Sequence, residues 1–241
     1  MAARKAIKRS DALTILARQI RHFVKRQKYA RKWNDATKAY LATHQVRKLE
    51  IGARVASLDG WLSTDVDPVS EGTAFLDATK PFPFDCGTFD YIYCEHMIEH
   101  LSYHQAAVMV SECFRVLKPR GKIRISTPDL DKILALKRPG NDLEQAYLQY
   151  ATAQLPYARS GSACFAINAF VRNWGHLFIF DKETLTDLLG ECGFVDFIEC
   201  SPGESDISHL RDLEHHGDTF PVREFNLVES MVLEATKPDR C

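Results

Sequence analysis

From residue 48 onward, short apolar stretches alternate with stretches of helical period, and this alternation restricts the fold more than any other feature of the chain. Lys48–Ile51 closes at Gly52, Trp61–Thr64 at Asp65, Thr73–Leu76 at Asp77 and Phe89–Cys94 at Glu95. Each reads as a short buried strand bounded by a turn former. Ala106, Ala107, Val110, Cys113, Phe114 and Leu117 recur with a period of 3.6, which predicts a helix over Tyr103–Leu117. Lys118-Pro119 stops that helix, and Gly121 opens a strand over Lys122–Thr127. Lys182–Cys192 reads as a helix closed by Gly193, and Phe194–Cys200 as the strand that follows. Asn226–Ala235 reads as a last strand, after the turn-rich stretch 201–221. The alternation implies an α/β fold, a parallel sheet with helices on both faces.

Charge divides the chain in two. Residues 1–48 carry fourteen Lys and Arg against Asp11 and Asp35, a net of +12, whereas the whole 241-residue chain has a net charge of −1. The arm, residues 1–47, places Leu13, Leu16, Ile20, Phe23 and Val24 at helical spacing among Arg18, Arg21, Lys25 and Arg26. An amphipathic basic helix of this kind suits packing on the acidic remainder, peripheral contact with an anionic membrane, or a grip on a nucleic-acid backbone. The seven cysteines stand singly without a CxxC pair, which argues against a disulfide framework or a zinc cage. With no run of 18 apolar residues and no signal-peptide core, the expectation is a cytoplasmic location.

In an open parallel sheet, ligands bind beyond the carboxyl ends of the strands. Gly52, Asp65, Asp77 and Glu95 would stand along that edge. A glycine after the first strand presents backbone without a Cβ. A carboxylate after the second accepts from both hydroxyls of a ribose, and one after the third takes an adenine amino group. Three acids in that order predict a nucleoside site.

These residues carry a family resemblance. Leu49-Glu-Ile-Gly52, Gly60-Trp-Leu-Ser-Thr-Asp65 and Phe82-Pro-Phe-Asp-Cys-Gly-Thr-Phe-Asp90 resemble a class I S-adenosylmethionine-dependent methyltransferase of type 11. Glu95-His-Met-Ile-Glu-His-Leu101, Glu112-Cys-Phe-Arg-Val-Leu-Lys-Pro-Arg-Gly121 and the stretch from His176 to Phe194 continue the likeness, which covers roughly residues 48–200. The resemblance implies a doubly wound, Rossmann-like sheet of seven strands, mostly parallel with the last antiparallel. It also implies S-adenosyl-L-methionine as cofactor. Glu50, Gly52 and Ala53 would hold its methionine part, Asp65 its ribose, Asp77 with Ala78 its adenine, while Glu95 and His96 stand beside the sulfonium. Residues 48–241 would form this domain, with a lid inserted at about 139–181.

Two departures keep a second reading open. The first loop reads Gly52-Ala-Arg-Val-Ala56 with a single glycine, and Arg120 stands where the family has the first glycine of a Pro-Gly-Gly turn. A methyltransferase-fold binding module without turnover would share these traits. His96-Met-Ile-Glu99-His100 also matches a zinc-peptidase pattern, but its position at a strand end speaks for no metal there. In the insertion, Asn141-Asp-Leu-Glu144 reads as a capped helix start, and Phe165, Phe170, Trp174, Phe178 and Phe180 gather around Arg172 and His176. His176 and His96 are the candidate catalytic residues, His176 as general base. The acceptor expected is the oxygen or nitrogen of a small molecule, sugar, glycan or lipid-linked precursor, with RNA as the alternative that the basic arm suggests. His209, His215 and His216 read as solvent-facing.

Overall fold

The computed structural model describes residues 33–53, 58–68, 70 and 72–239. The amphipathic stretch Leu13–Val24 lies outside the described residues, as does most of the loop after Ala53. Residues 33–43 are helical (α1), and Trp33 and Tyr40 of this helix reach the main core. Tyr40 Oη accepts the backbone N–H of Lys48 at 2.7 Å, which fixes the entry of the first strand.

Seven strands form one sheet: β1 Lys48–Ile51, β2 Leu62–Asp65, β3 Ala74–Phe75, β4 Phe89–Glu95, β5 Leu117–Pro128, β6 Val195–Cys200 and β7 Ser230–Thr236. Their order is β3-β2-β1-β4-β5-β7-β6, with β7 antiparallel to both neighbours and the other pairings parallel. The chain leaves β1 toward β2 on one side and returns to β4 on the other. The order therefore reverses between β1 and β4, and the strand ends open into a crevice there.

Alternation along the strands explains the two faces. Leu49, Ile51, Ile92, Cys94, Ile123 and Ile125 are all buried in the main core. The helices α2 (Tyr103–Val116) and α6 (Lys182–Glu191) supply Met109, Val110, Cys113, Leu185, Leu188 and Leu189 to the same core. Helix α2 begins at Ser102 with a reciprocal Ser102–Gln105 capping box, as a Ser-x-x-Gln start requires. The opposite face is polar in its centre. Fully buried Arg124 is held by Glu214 at 2.7 Å and Glu234 at 2.6 Å, which fastens the largely irregular stretch 201–216 across that face. Leu210 and Leu213 of that stretch pack on Trp61 and Tyr93.

A second, smaller core lies over the strand ends. It joins α3 (Leu130–Ala135), α4 (Asp142–Ala153), α5 (Ala163–Arg172) and α7 (Phe225–Glu229) through Ile133, Tyr147, Leu148, Ala166, Phe170, Phe225 and Val228. Asn141 caps α4 by accepting the N–H of Glu144 at 2.9 Å. One expectation is corrected here. Asn226–Ala235 is not a continuous strand: Phe225–Glu229 is helical and the strand begins at Ser230. Phe225 and Val228, three residues apart, bury one face of that turn in the second core, and this packing outweighs the strand pattern of the run.

Candidate functional site

A cavity of about 860 Å³ opens where the sheet order reverses. Its floor is the strand ends, with Glu50 and Gly52 from β1, Glu95 and His96 from β4, and Pro128 from β5. Its walls come from Tyr147 and Tyr150 on α4, from Phe170, Trp174 and His176 around the end of α5, and from the segment 213–220. The volume lies within the usual range for sites that hold a cofactor or a drug-sized ligand.

Gly52 has φ +86°, and a Cβ there would stand 2.6 Å from Met97 Cγ. Only glycine fits both the backbone angle and the contact. The N–H groups of Gly52 and Ala53 both donate to Thr64 O, at 2.8 and 3.0 Å, which turns the chain sharply off β1. The adjacent Glu50 is buried and accepts the Ser63 hydroxyl at 2.5 Å. Burial holds its carboxyl above the usual range, against the opposing pull of the Ser63 hydroxyl and the Leu58 N–H. Glu95 accepts the backbone N–H groups of His215 at 3.1 Å and His216 at 2.9 Å, and so anchors the wall segment to β4.

His96 follows with φ +44°, a left-handed backbone that is uncommon outside glycine and recurs at functional sites. Its Nε2 lies 2.8 Å from Ser230 Oγ, its ring stacks on His216 at 3.6 Å, and its Nδ1 faces Glu99 Oε1 at 3.4 Å. Burial disfavours the charged ring, but Glu99 together with the charges of Glu229 and Glu95 reverses the effect and raises its pKa. His176 is the opposite case. Its Nδ1 lies 2.7 Å from Phe170 O, and burial lowers its pKa. A carbonyl only accepts, so Nδ1 carries the proton of the neutral ring and Nε2 holds the lone pair. The cavity is thus lined by one histidine shifted toward the charged form and one toward the neutral form.

The structure brings Glu50, Gly52, Ala53, Glu95, His96 and His176 to one cavity. Asp65, Asp77 and Ala78 stand along the same sheet edge, outside its lining. Asp77 Oδ1 accepts the N–H and hydroxyl of Thr79 at 3.0 and 2.6 Å, a turn-forming arrangement. Sequence reasoning did not place Glu99 and His100 in the cavity, having singled them out only in the peptidase pattern, and read His216 as solvent-facing. His216 lines the cavity and lies 2.8 Å from Glu229 Oε1. The signal for it was weak, because a His-His pair in a turn-rich segment gives no periodicity. Ile98–His100 forms a 3-10 turn, so His96 and His100 do not share one α-helical face as the peptidase pattern requires. Of the insertion's aromatics, Phe170 belongs to the second core and Phe180 to the main core, while exposed Trp174 borders the cavity.

Residues 44–125 match the family model of a methyltransferase domain. Over that span the chain is similar to a methyltransferase domain. Its β1–β4 strand ends, the Glu95–Leu101 turn and α2 all fall inside or on the matched span. Solved structures with which the chain aligns include an S-adenosylmethionine-dependent methyltransferase from Archaeoglobus fulgidus, at 14% identity over 89% of this chain and 99% of that one, with a TM-score of 0.46. A second is an S-adenosylmethionine-dependent methyltransferase from Thermotoga maritima, at 17% identity over 93% and 98% of the two chains, TM-score 0.44. A third is phosphoethanolamine N-methyltransferase 2 of Haemonchus contortus in complex with S-adenosyl-L-methionine, at 15% identity over 86% of this chain and 53% of that one, TM-score 0.44. No curated protein sequence matches the chain.

Proposed function

We propose that the methyltransferase domain is catalytically active, uses S-adenosyl-L-methionine, and methylates an oxygen or nitrogen of a small polar acceptor, a sugar or glycan precursor included. The observation that supports this reading most directly is the make-up of the cavity. Two carboxylates, Glu50 and Glu95, stand on the floor at the strand ends, and a histidine lone pair, His176 Nε2, belongs to the wall. A cationic donor matches a floor of that charge. The cavity residues therefore fit the cofactor. When bound, it supplies a methyl group already activated on a sulfonium.

The chain's own residues supply position and a proton sink. Glu50, Gly52, Ala53 and Glu95 would hold the methionine half; Asp65, Asp77 and Ala78, on the adjoining strand ends, would hold the nucleoside half. The aromatic wall of Tyr150, Phe170 and Trp174 keeps water from the reacting oxygen or nitrogen. His176, neutral near pH 7, receives the acceptor proton at Nε2. His96, which is engaged by Ser230 at Nε2, faces Glu99 at 3.4 Å from Nδ1 and is shifted toward the charged form, serves position rather than proton removal. The helices that share the second core form the lid over this site.

In His176→Ala, turnover is expected to fall about 100-fold or more, while binding of S-adenosylhomocysteine is retained. Unchanged turnover in single-turnover assays removes His176 from the proton transfer. The binding-module reading rests on the single-glycine first loop, and its signature is failure to bind S-adenosylhomocysteine at all.

A further inference from the structure

We infer that Glu99, His100 and His176 form a binding site for one divalent first-row metal ion, best matched by zinc, on the acceptor side of the cavity. The three ligand atoms lie within 4.8 Å of one another. Around a tetrahedral zinc, ligand atoms stand about 3.3 Å apart, so closure requires shifts on the order of 1 Å. His100, with its side chain 39% exposed, is free to swing that far.

The observation that points to a ligand is Glu99. Its side chain is fully buried, and Oε2 accepts the Thr127 hydroxyl at 3.0 Å. Its other oxygen, Oε1, is buried and has no hydrogen-bond partner. His96 Nδ1 stands 3.4 Å from it without hydrogen-bond geometry, and His100 Nε2 stands at 4.0 Å. His96 compensates the charge of this buried oxygen only from 3.4 Å, and a cation between it and the imidazoles of His100 and His176 would satisfy it directly.

His176 is prepared as a ligand in the way metal-bound histidines are. Its Nδ1 donates to a backbone carbonyl, which fixes the ring and leaves Nε2 as the electron-pair donor. The two halves of the site are also tied together through the backbone. Glu99 O accepts the N–H groups of Leu177 at 2.8 Å and Phe178 at 3.2 Å, which holds the segment after His176 against the 3-10 turn. Two imidazoles and one carboxylate are a donor set of intermediate softness, suited to zinc and its neighbours rather than to magnesium or calcium. The neighbouring trio His96, His216 and Glu229 lacks an orphan atom: His96 Nε2 is engaged by Ser230, and His216 Nε2 by Glu229 itself.

All three residues line the cavity, so an ion there keeps positions open toward an incoming ligand. The class of ligand is one that offers an oxygen: a hydroxyl, a carboxylate or a phosphate. The ion's use in transfer, unlike its binding, rests on the methyltransferase reading. Glu99, His100 and His176 would hold the ion, which would supply Lewis acidity to an acceptor oxygen placed beside it; His176 would then serve as a ligand in place of its role as base.

The test is metal content of the full chain after loading with zinc alone and exhaustive dialysis, read by mass spectrometry. About one zinc per chain is expected, falling to background in Glu99→Gln and in the His100→Ala/His176→Ala double variant. The exposed His104→Ala variant should keep its zinc. The double variant leaves buried Glu99 in place, so it answers the question even where Glu99→Gln does not fold. Cobalt substitution gives a second readout, a tetrahedral visible spectrum lost in the same variants. No stoichiometric zinc in the parent chain, or zinc retained in the double variant, overturns the inference. Binding of S-adenosylhomocysteine, followed separately by thermal unfolding, distinguishes failure of this inference from failure of the methyltransferase reading.

Discussion

Single residues show how much of a motif is steric before it is chemical. Gly52 was legible in the sequence as a glycine that ends the first strand. The structure adds a tighter constraint: φ is +86° and the Cβ position is taken by Met97. Gly52→Ala should therefore destabilise the fold by about 3 kcal/mol, from the left-handed backbone and the overpacking together. Urea unfolding at neutral pH checks this, and a loss under 1 kcal/mol would mean that Met97 simply yields. Arg120 illustrates the reverse. It adopts φ +63° with a full side chain, so the turn is made at a local steric cost. His96 could be placed at the strand end from the sequence, but its partners could not. Ser230 and His216 are more than a hundred residues away, and only the fold brings them to it.

At the scale of elements, the most legible parts were those whose period is local. The strands at 48–51 and 89–95 and the helices opening at Tyr103 and Lys182 fall within a residue or two of where alternation and capping put them. The Phe-Arg-Val-Leu-Lys-Pro segment could be read as diagnostic but not as mechanism. Its mechanism is a clamp: Arg115 donates to Phe84 O at 2.8 Å, Phe82 O at 3.0 Å and Glu112 at 2.6 Å, while Glu112 accepts the Phe82 N–H at 2.5 Å. The loop before β4 is thereby held on α2. The Arg115 side chain beside Glu112 keeps its carboxyl below the ordinary value of 4.5. A carboxylate with a depressed folded pKa contributes stability that is present above that ordinary value and lost as pH falls through the folded one. Arg115→Ala should thus cost about 1–3 kcal/mol at pH 7, and the cost should shrink as the pH is lowered from 4.5. An equal cost at pH 7 and pH 3, followed by denaturant midpoints, would contradict the clamp. The short α7 was not legible, because Asn226–Ala235 carries a strand pattern that only the second core overrides.

For the whole molecule, the seven-stranded sheet with β7 antiparallel is the one that the sequence resemblance implied, and the strand-end residues Glu50, Gly52 and Glu95 do line one cavity. The cavity wall was less legible. It is assembled from α4, the end of α5 and the segment 213–220, which meet only through the second core and through Glu95. Among the described residues, no helix is long and apolar enough to cross a membrane. The basic arm is where we place peripheral membrane contact, so deletion of residues 1–32 should weaken cosedimentation with anionic vesicles and leave S-adenosylhomocysteine binding intact. Unchanged vesicle binding would leave the arm as packing on the acidic remainder, and a steep salt dependence of RNA binding would name nucleic acid.

The central claim is that the strand-end cavity and the adjoining acids hold the donor. Thermal unfolding with and without S-adenosylhomocysteine tests it most directly. A site filled to a hundred times its dissociation constant adds about 2.7 kcal/mol, which for a chain of this length moves the midpoint by about 5–10 °C. The account predicts that shift in the parent chain and its loss in Asp65→Ala. No shift at millimolar ligand would contradict it, and would leave the chain as a methyltransferase fold that binds something other than the donor.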